Sequence, residues 1–303
     1  MSGRILEIAQ NGRCVHLERG FIAIREDGKA LGRVPIDDID AVIASAHGIT
    51  WSNKALSALS AQGSPVVILG ENFHPASIIM PISGHHDQGR RMRAQASAKL
   101  PLRKRFWADL IKAKIKAQSA ALEQIGIPTT RLSTIQREVR SGDTSNREAA
   151  AAQAYWPAIM ARGFHRNDCA NPANAMLNYG YAVLRAGTAR AIVAAGLHPS
   201  LSVHHVSDGD AFALADDLME PFRPTVDLVV RDLVKAGLTI EAPEARPRLV
   251  ATLGADFRTQ NGRTPLSHCL VRLAQSLSEA FKQGAGHLNL PQTSLPIPAE
   301  LDL

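Results

Sequence analysis

The sequence predicts an α+β fold in which a small, mostly β N-terminal domain precedes a larger all-α C-terminal domain. Two textures carry that prediction. Before about Pro81 the apolar residues fall in short, β-branched runs, whereas after about Arg90 they recur every three to four residues, the helical period. Between the two, Ile82-Ser-Gly-His-His-Asp-Gln-Gly89 is polar and has no apolar period, so it reads as a linker. The expected organisation is a β domain at 1–81, a linker at 82–90, a helical domain at 91–287 and a flexible tail at 288–303, where prolines accumulate.

The β domain begins with Arg4-Ile-Leu-Glu-Ile8, Cys14-Val-His-Leu17 and Phe21-Ile-Ala-Ile24, continues with Ala41-Val-Ile-Ala44 and Pro65-Val-Val-Ile-Leu69, and ends with Ser77-Ile-Ile-Met80. Asn11-Gly12 and Asp27-Gly28 are dipeptides that suit hairpin turns. A short helix is expected over Asn53–Gln62, stopped by Gly63. In the helical part, Pro101 fits a first turn. The rows Leu102, Phe106, Leu110 and Trp107, Ile111, Ile115 then repeat at i+4. A second helix is expected from Asn146 to about Met160. A third is bracketed by Asn171 as N-cap, Pro172 in the first turn and Gly196 past the end. A fourth spans roughly Ala211 to Phe222, breaks near Pro221 and Pro224 and resumes to Ala236. A fifth follows Thr264-Pro265 and carries Leu270, Leu273, Leu277 and Phe281.

Composition narrows the classes of function. The chain has 303 residues, of which 45% are hydrophobic, enough for a sizeable core. Its 34 Lys and Arg against 28 Asp and Glu give a net charge of +6, which favours a polyanionic partner. Cys14, Cys169 and Cys269 are odd in number and lack metal-type spacing, as reduced cytosolic thiols do. The N-terminus has no signal-like apolar core, and the most apolar long segment, Asn178 to Leu197, is broken by Arg185 and Arg190. A soluble cytoplasmic protein with no membrane partner is expected.

The chemistry concentrates in Gly196-Leu-His-Pro-Ser-Leu-Ser-Val-His-His205 and Asp216-Asp-Leu-Met-Glu-Pro-Phe-Arg-Pro224. Asp217 and Glu220 share a helix face, with Asp216 one turn before Glu220. Carboxylates with at most an imidazole suit the hard divalent metals that act on phosphates. The bland alternative is a solvated acidic face, weakened by the apolar Phe212-Ala-Leu-Ala215 and Leu218-Met219 around it. Adjacent on the chain, His204 and His205 point different ways, so one of them at most faces the carboxylates. His198 belongs to the exit of the third helix. A further carboxylate, Glu148, lies in the alanine-rich Asn146-Arg-Glu-Ala-Ala-Ala-Ala152, where Ser145-Asn-Arg-Glu148 equally fits a capping box. Ten Lys and Arg between Arg90 and Lys116, including Arg103, Lys104 and Arg105, stand against Asp109 alone. Such a stripe could track a phosphate backbone, or it could be a solvated face. Arg162-Gly-Phe-His-Arg166 lies in the loop after the Glu148 helix.

Taken as a set, these motifs resemble one family. Asn146-Arg-Glu-Ala149 with Tyr155-Trp156, Arg162 to Arg166, Asn174-Ala-Met-Leu-Asn-Tyr-Gly-Tyr181, Gly196-Leu-His-Pro199 to His205, and Asp217-Leu-Met-Glu-Pro-Phe-Arg-Pro224 are similar, in order, to the CRISPR-associated spacer-acquisition endonuclease, the integrase subunit of CRISPR adaptation, and most to its type II-like branch. Asp37-Asp-Ile39 and Pro65 to Pro75 fit that family's N-terminal domain. The resemblance implies a dimerising β domain and a catalytic helical domain with Glu148, His205 and Glu220 as catalytic metal ligands. Asp217 is then an auxiliary acidic residue and Mg²⁺ or Mn²⁺ the cofactor. His205 is preferred to His204 because it ends the family's Gly-Leu-His-Pro segment. Two departures are Ser202, where the family usually has glycine, and Glu220, where many relatives have aspartate.

The implied partners are double-stranded DNA, both spacer precursor and CRISPR repeat, a second copy of the chain in a homodimer, and the small dimeric CRISPR adaptation protein. The implied reaction is attack by the 3′-hydroxyl of a short DNA fragment on a phosphodiester at the repeat. With water as the nucleophile the same site is an endonuclease. His204 and a hydroxide on the metal are both open as general base. Arg162, Arg166 and Arg223 are expected phosphate clamps, and Arg103, Lys104 and Arg105 longer-range DNA contacts. A general nuclease or resolvase of branched DNA and a non-catalytic DNA-binding scaffold are the competing readings.

Overall fold

The computed structural model of the chain describes residues 4–70, 73, 75–82, 84–166, 168, 170–205 and 210–298. Cys169, Ser83 in the expected linker, residues 71, 72 and 74 of the Pro65 to Pro75 motif, and 299–303 of the expected tail lie outside them.

The N-terminal strands are β1 (Arg4–Ile8), β2 (Cys14–Glu18), β3 (Phe21–Glu26), β4 (Lys29–Pro35), β5 (Ile39–Ala44), β6 (Thr50–Trp51), β7 (Val66–Leu69) and β8 (Pro75–Ile79), with α1 (Asn53–Gln62) between β6 and β7. They form two sheets, ordered β1-β5-β7-β8 and β4-β3-β2-β6. In the first, β5 is parallel to β1 and β7, and β8 is antiparallel to β7. Such a sheet is covered on both faces, and its strands read as unbroken apolar runs. Accordingly Val42 and Val66 face a small core with Ile8, Val15 and Leu59, while Ala41, Ile43, Val67 and Leu69 face the helices. Asp27 and Gly28 take positive φ, 47° and 77°, and close the β3–β4 hairpin. Asn11-Gly12 does not make a hairpin, since β1 and β2 belong to different sheets.

The helices that follow are α2 (Gln88–Ala96), α3 (Leu100–Gln124), α4 (Thr130–Glu138), α5 (Arg147–Ile159), α6 (Pro172–Ala194), α7 (Ala213–Met219), α8 (Arg223–Lys235), α9 (Ala245–Val250) and α10 (Leu266–Gln283). Central to them is α6, with buried residues all round and neighbours in α7, α8, α9, α10 and β5. Asn171 caps it through Ala173 N at 3.0 Å, and Gly196 follows it with φ 72°. Pro221 ends α7 in a 3-10 turn (Glu220–Phe222), and Pro224 stands in the first turn of α8. No helix among the described residues is long and apolar enough to cross a membrane.

Three expectations need correction. The C-terminal part is not all-α, because β9 (Asp256–Thr259) and β10 (Gly262–Pro265) form an antiparallel hairpin. The expected linker is shorter, since Gln88, Gly89 and Arg90 already belong to α2. The expected flexible tail is tied down as far as Pro298: Gln292 N donates to Arg258 O at 2.8 Å, Ile297 N to Asp256 O at 2.7 Å, and Leu295 is buried. Its prolines favour an extended backbone, which suits a chain lying along the exposed edge of a hairpin.

Candidate active site

The first residue of the site is placed by a capped helix start. Ahead of α5, Gly142 and Asp143 turn through positive φ, 75° and 47°, so the Asp143 carboxylate accepts the N–H groups of Arg147 and Glu148, each at 2.9 Å. Asn146 accepts from Ala149 N at 3.3 Å. The N-cap is therefore Asn146 and not Ser145, which puts Glu148 at the second helical position, out of register for a capping box. Its Oε1 instead accepts a hydrogen bond from Lys114 Nζ of α3 at 2.7 Å.

The second carboxylate arrives on a different element. Glu220, at the start of the 3-10 turn between α7 and α8, is 4% exposed. Its Oε2 lies 2.5 Å from Lys114 Nζ, and its Oε1 lies 3.0 Å from Arg223 Nε. Both are charge contacts whose angles fall short of hydrogen bonds, so Glu220 Oε2 has no aligned donor. Burial pushes the Glu220 carboxyl up, but Arg223 and Lys114 outweigh it and leave the pKa below its usual value. Burial likewise opposes the Lys114 ammonium, and Glu220 and Glu148 more than restore it.

His205 is held from behind. Asp217, fully buried on α7, lies 2.5 Å from His205 Nδ1 through its Oδ1. It also accepts the N–H groups of Val203 at 2.6 Å, His204 at 2.9 Å and His205 at 3.4 Å. Bonding to Asp217 raises the His205 pKa against the effect of burial, and the charges of Glu220 and Glu148 raise it further. With Nδ1 bound to a carboxylate, Nε2 is the nitrogen left for a ligand. His204 stacks on Trp107 of α3, centroids 4.2 Å apart and planes at 8°, and burial lowers its pKa. Asp216, which the helix spacing grouped with Glu220, turns away to a bidentate pair with Arg185 at 2.7 and 2.9 Å.

The basic residues divide. Arg91 donates to Ala195 O at 2.9 Å, Arg103 to Val203 O at 3.2 Å and Arg105 to Gly286 O at 2.9 Å, so part of the stripe braces the fold. Arg162 is exposed. Arg166 donates to Asn178 Oδ1 at 2.7 Å and stands over the Tyr181 ring at 5.3 Å. Arg223 also stands over the Tyr181 ring, 4.7 Å from its centroid. Tyr181 and Tyr155 both donate to Asp227, at 2.5 and 3.0 Å, and burial pushes that carboxyl up to about 6.

The donor set is thus two carboxylates drawn onto one buried cation, with an imidazole whose far nitrogen is already engaged. Among the described residues no three His, Cys, Asp or Glu side chains stand close enough together to hold one ion, and Lys114 stands between Glu148 and Glu220. By donor chemistry the residues fit a hard divalent ion, and the unaligned Glu220 Oε2 is an acceptor suited to it.

The family model described as "CRISPR associated protein Cas1" matches residues 6–243. The chain belongs to the Cas1 family. It is 34% identical over 293 residues to "CRISPR-associated endonuclease Cas1" of Neisseria meningitidis serogroup C (strain 8013), covering 95% of this chain and 94% of that one. That Cas1 relative fits the type II-like branch. Two solved structures have the same fold. "Casposase bound to integration product" has a TM-score of 0.76 at 21% identity, covering 94% of this chain and 92% of that chain. "Cas6-RT-Cas1--Cas2 complex" also scores 0.76, at 17% identity over 95% of this chain and 36% of that chain. As in other Cas1 folds, N-terminal strands precede a mainly helical C-terminal region.

Lys114, Trp107 and the Tyr155–Tyr181–Asp227 group are site neighbours that the sequence reading missed. For Lys114 a signal existed: the row Leu102, Phe106, Leu110 continues at i+4 to Lys114 and Gln118 before Leu122. Two polar residues interrupting a buried row mark a built site.

Proposed function

We propose that this Cas1 chain is a metal-dependent DNA endonuclease and integrase, joining the 3′-hydroxyl of short DNA fragments to a phosphodiester at a CRISPR repeat. The observation that carries it is the convergence of Glu148 and Glu220, from different elements, on one buried cation beside His205. Glu148, Glu220 and His205 Nε2 would hold Mg²⁺ or Mn²⁺, which supplies Lewis-acid activation of the scissile phosphate. Asp217 fixes the His205 tautomer and the backbone of the loop that carries it. Arg223 holds Glu220, and with Arg162 and Arg166 it offers guanidinium groups to phosphate. His204, kept neutral by burial, is available to take a proton. The relatives' printed names support DNA, an integration product and Cas2 as the kinds of partner. A homodimer of this chain is part of the same proposal and rests on the family resemblance alone.

The test offers short duplexes with free 3′ ends to supercoiled plasmids with and without a repeat array, in Mn²⁺. Insertion at the repeat is expected. Glu148→Gln and Glu220→Gln should each lower it by at least about a hundredfold while DNA binding persists. Joining that survives both substitutions would overturn the metal-site reading, DNA binding with no joining by the parent would leave the scaffold reading, and insertion indifferent to the repeat would favour a general nuclease.

A further inference from the structure

Lys114 and Gln118 stand one turn apart on α3 and line the same cavity of about 140 Å³, together with Arg166, Tyr181, Arg223 and Asp227. At present the Lys114 ammonium is committed to Glu148 and Glu220. Gln118 is 3% exposed, and its Oε1 has no hydrogen-bond partner. A buried, unpartnered acceptor costs free energy, and this one lies one helical turn from Lys114. The cavity is several times the space a water molecule needs, so an ammonium fits.

We propose that Lys114 is a displaceable internal cation. Its ammonium gathers Glu148 and Glu220, and when a divalent ion takes those carboxylates it turns into the cavity to donate to Gln118 Oε1. The inference rests on the reading of Glu148, His205 and Glu220 as metal ligands. Its physical basis is that a lysine ammonium and a divalent ion cannot share the same two oxygens. At such separations in a buried site their repulsion is weakly screened. The lysine therefore has two effects of opposite sign. It keeps two carboxylates from repelling each other apart, and it competes with the ion for them.

Mn²⁺ binding to the purified full chain, measured by calorimetry and by loss of the free-ion electron paramagnetic resonance signal, tests this without reference to DNA joining. Lys114→Met should bind Mn²⁺ at least about tenfold more tightly than the parent. Gln118→Leu, which keeps Lys114 and both carboxylates, should weaken binding several-fold in the parent and change nothing in the Lys114→Met background. That second arm carries the test if Lys114→Met does not fold. Equal or weaker binding by Lys114→Met, or an equal effect of Gln118→Leu in both backgrounds, overturns the displaceable lysine alone. If neither parent nor Lys114→Met binds Mn²⁺, the ligand reading itself is wrong and the inference goes with it.

Discussion

Asp217 shows how one side chain can be indispensable without touching a substrate. Its two oxygens serve Val203 N, His204 N, His205 N and His205 Nδ1, and no part of it reaches solvent. Asp217→Ala would leave those backbone donors without acceptors and is expected to cost about 2–4 kcal/mol, read as a lower urea midpoint at unchanged slope. An unfolding free energy within about 0.5 kcal/mol of the parent's, the scatter of surface substitutions, would mean that the loop does not depend on it. Asp227 gives a pH dependence instead. Burial raises its carboxyl to about 6, so its contribution to stability is fully present below the ordinary carboxylate range and is lost as pH rises through about 6. The stability difference between parent and Asp227→Asn should therefore drift against the parent by roughly 2 kcal/mol from pH 4 to pH 7. A flat difference would show that Tyr155 and Tyr181 fully offset the burial. At this scale the sequence placed Glu148, His205, Asp217 and Glu220 on plausible elements. It could not choose between a capping and a free Glu148, because the choice depends on Asp143, five residues upstream and in an irregular turn.

At the scale of elements, α6 and α8 cross at a point where only glycine fits. A Cβ on Gly180 would sit 2.4 Å from Val226 Cγ1 and 3.2 Å from Leu249 Cδ2, so the crossing depends on a missing side chain. Gly180→Ala should push α8 outward, costing about 1–3 kcal/mol and lowering Tm by several degrees. Val226→Ala in the same chain should restore most of the loss, and no restoration would place the cost elsewhere. The displacement also matters for the site, because Arg223 and Asp227 ride on α8. Elements with local signals were legible: β5 and β7 as unbroken apolar runs, α6 by its Asn171 cap and following Gly196, and the β3–β4 turn by Asp27-Gly28. The β9–β10 hairpin was not, although Asn261-Gly262 marks its turn. Its strands are short and polar, and one edge is completed by residues 292–297, far along the chain. Turn chemistry alone was misleading at Asn11-Gly12, where the chain changes sheets.

For the whole molecule, the division into two textures does not make two independent bodies. Ala41, Ile43, Val67 and Leu69 of the first sheet belong to the same core as Leu184, Ile192 and Leu253 of the helical part. Ion pairs cross the boundary as well, Asp40 to Arg190 at 2.7 Å and Glu7 to Arg246 at 3.4 Å. A chain built of a sheet and a bundle joined only by a linker would melt in two steps, whereas a shared core couples them. Calorimetry of the full chain is therefore expected to show one transition whose calorimetric and van't Hoff enthalpies agree. Ile43→Ala is the discriminating substitution, since Ile43 is fully buried on the sheet face that meets the helices. It should cost about 2–5 kcal/mol through the cavity it leaves and move the entire transition to lower temperature. Two separated peaks, with only one shifted by Ile43→Ala, would show that the β part unfolds by itself and that the helical core stands without it.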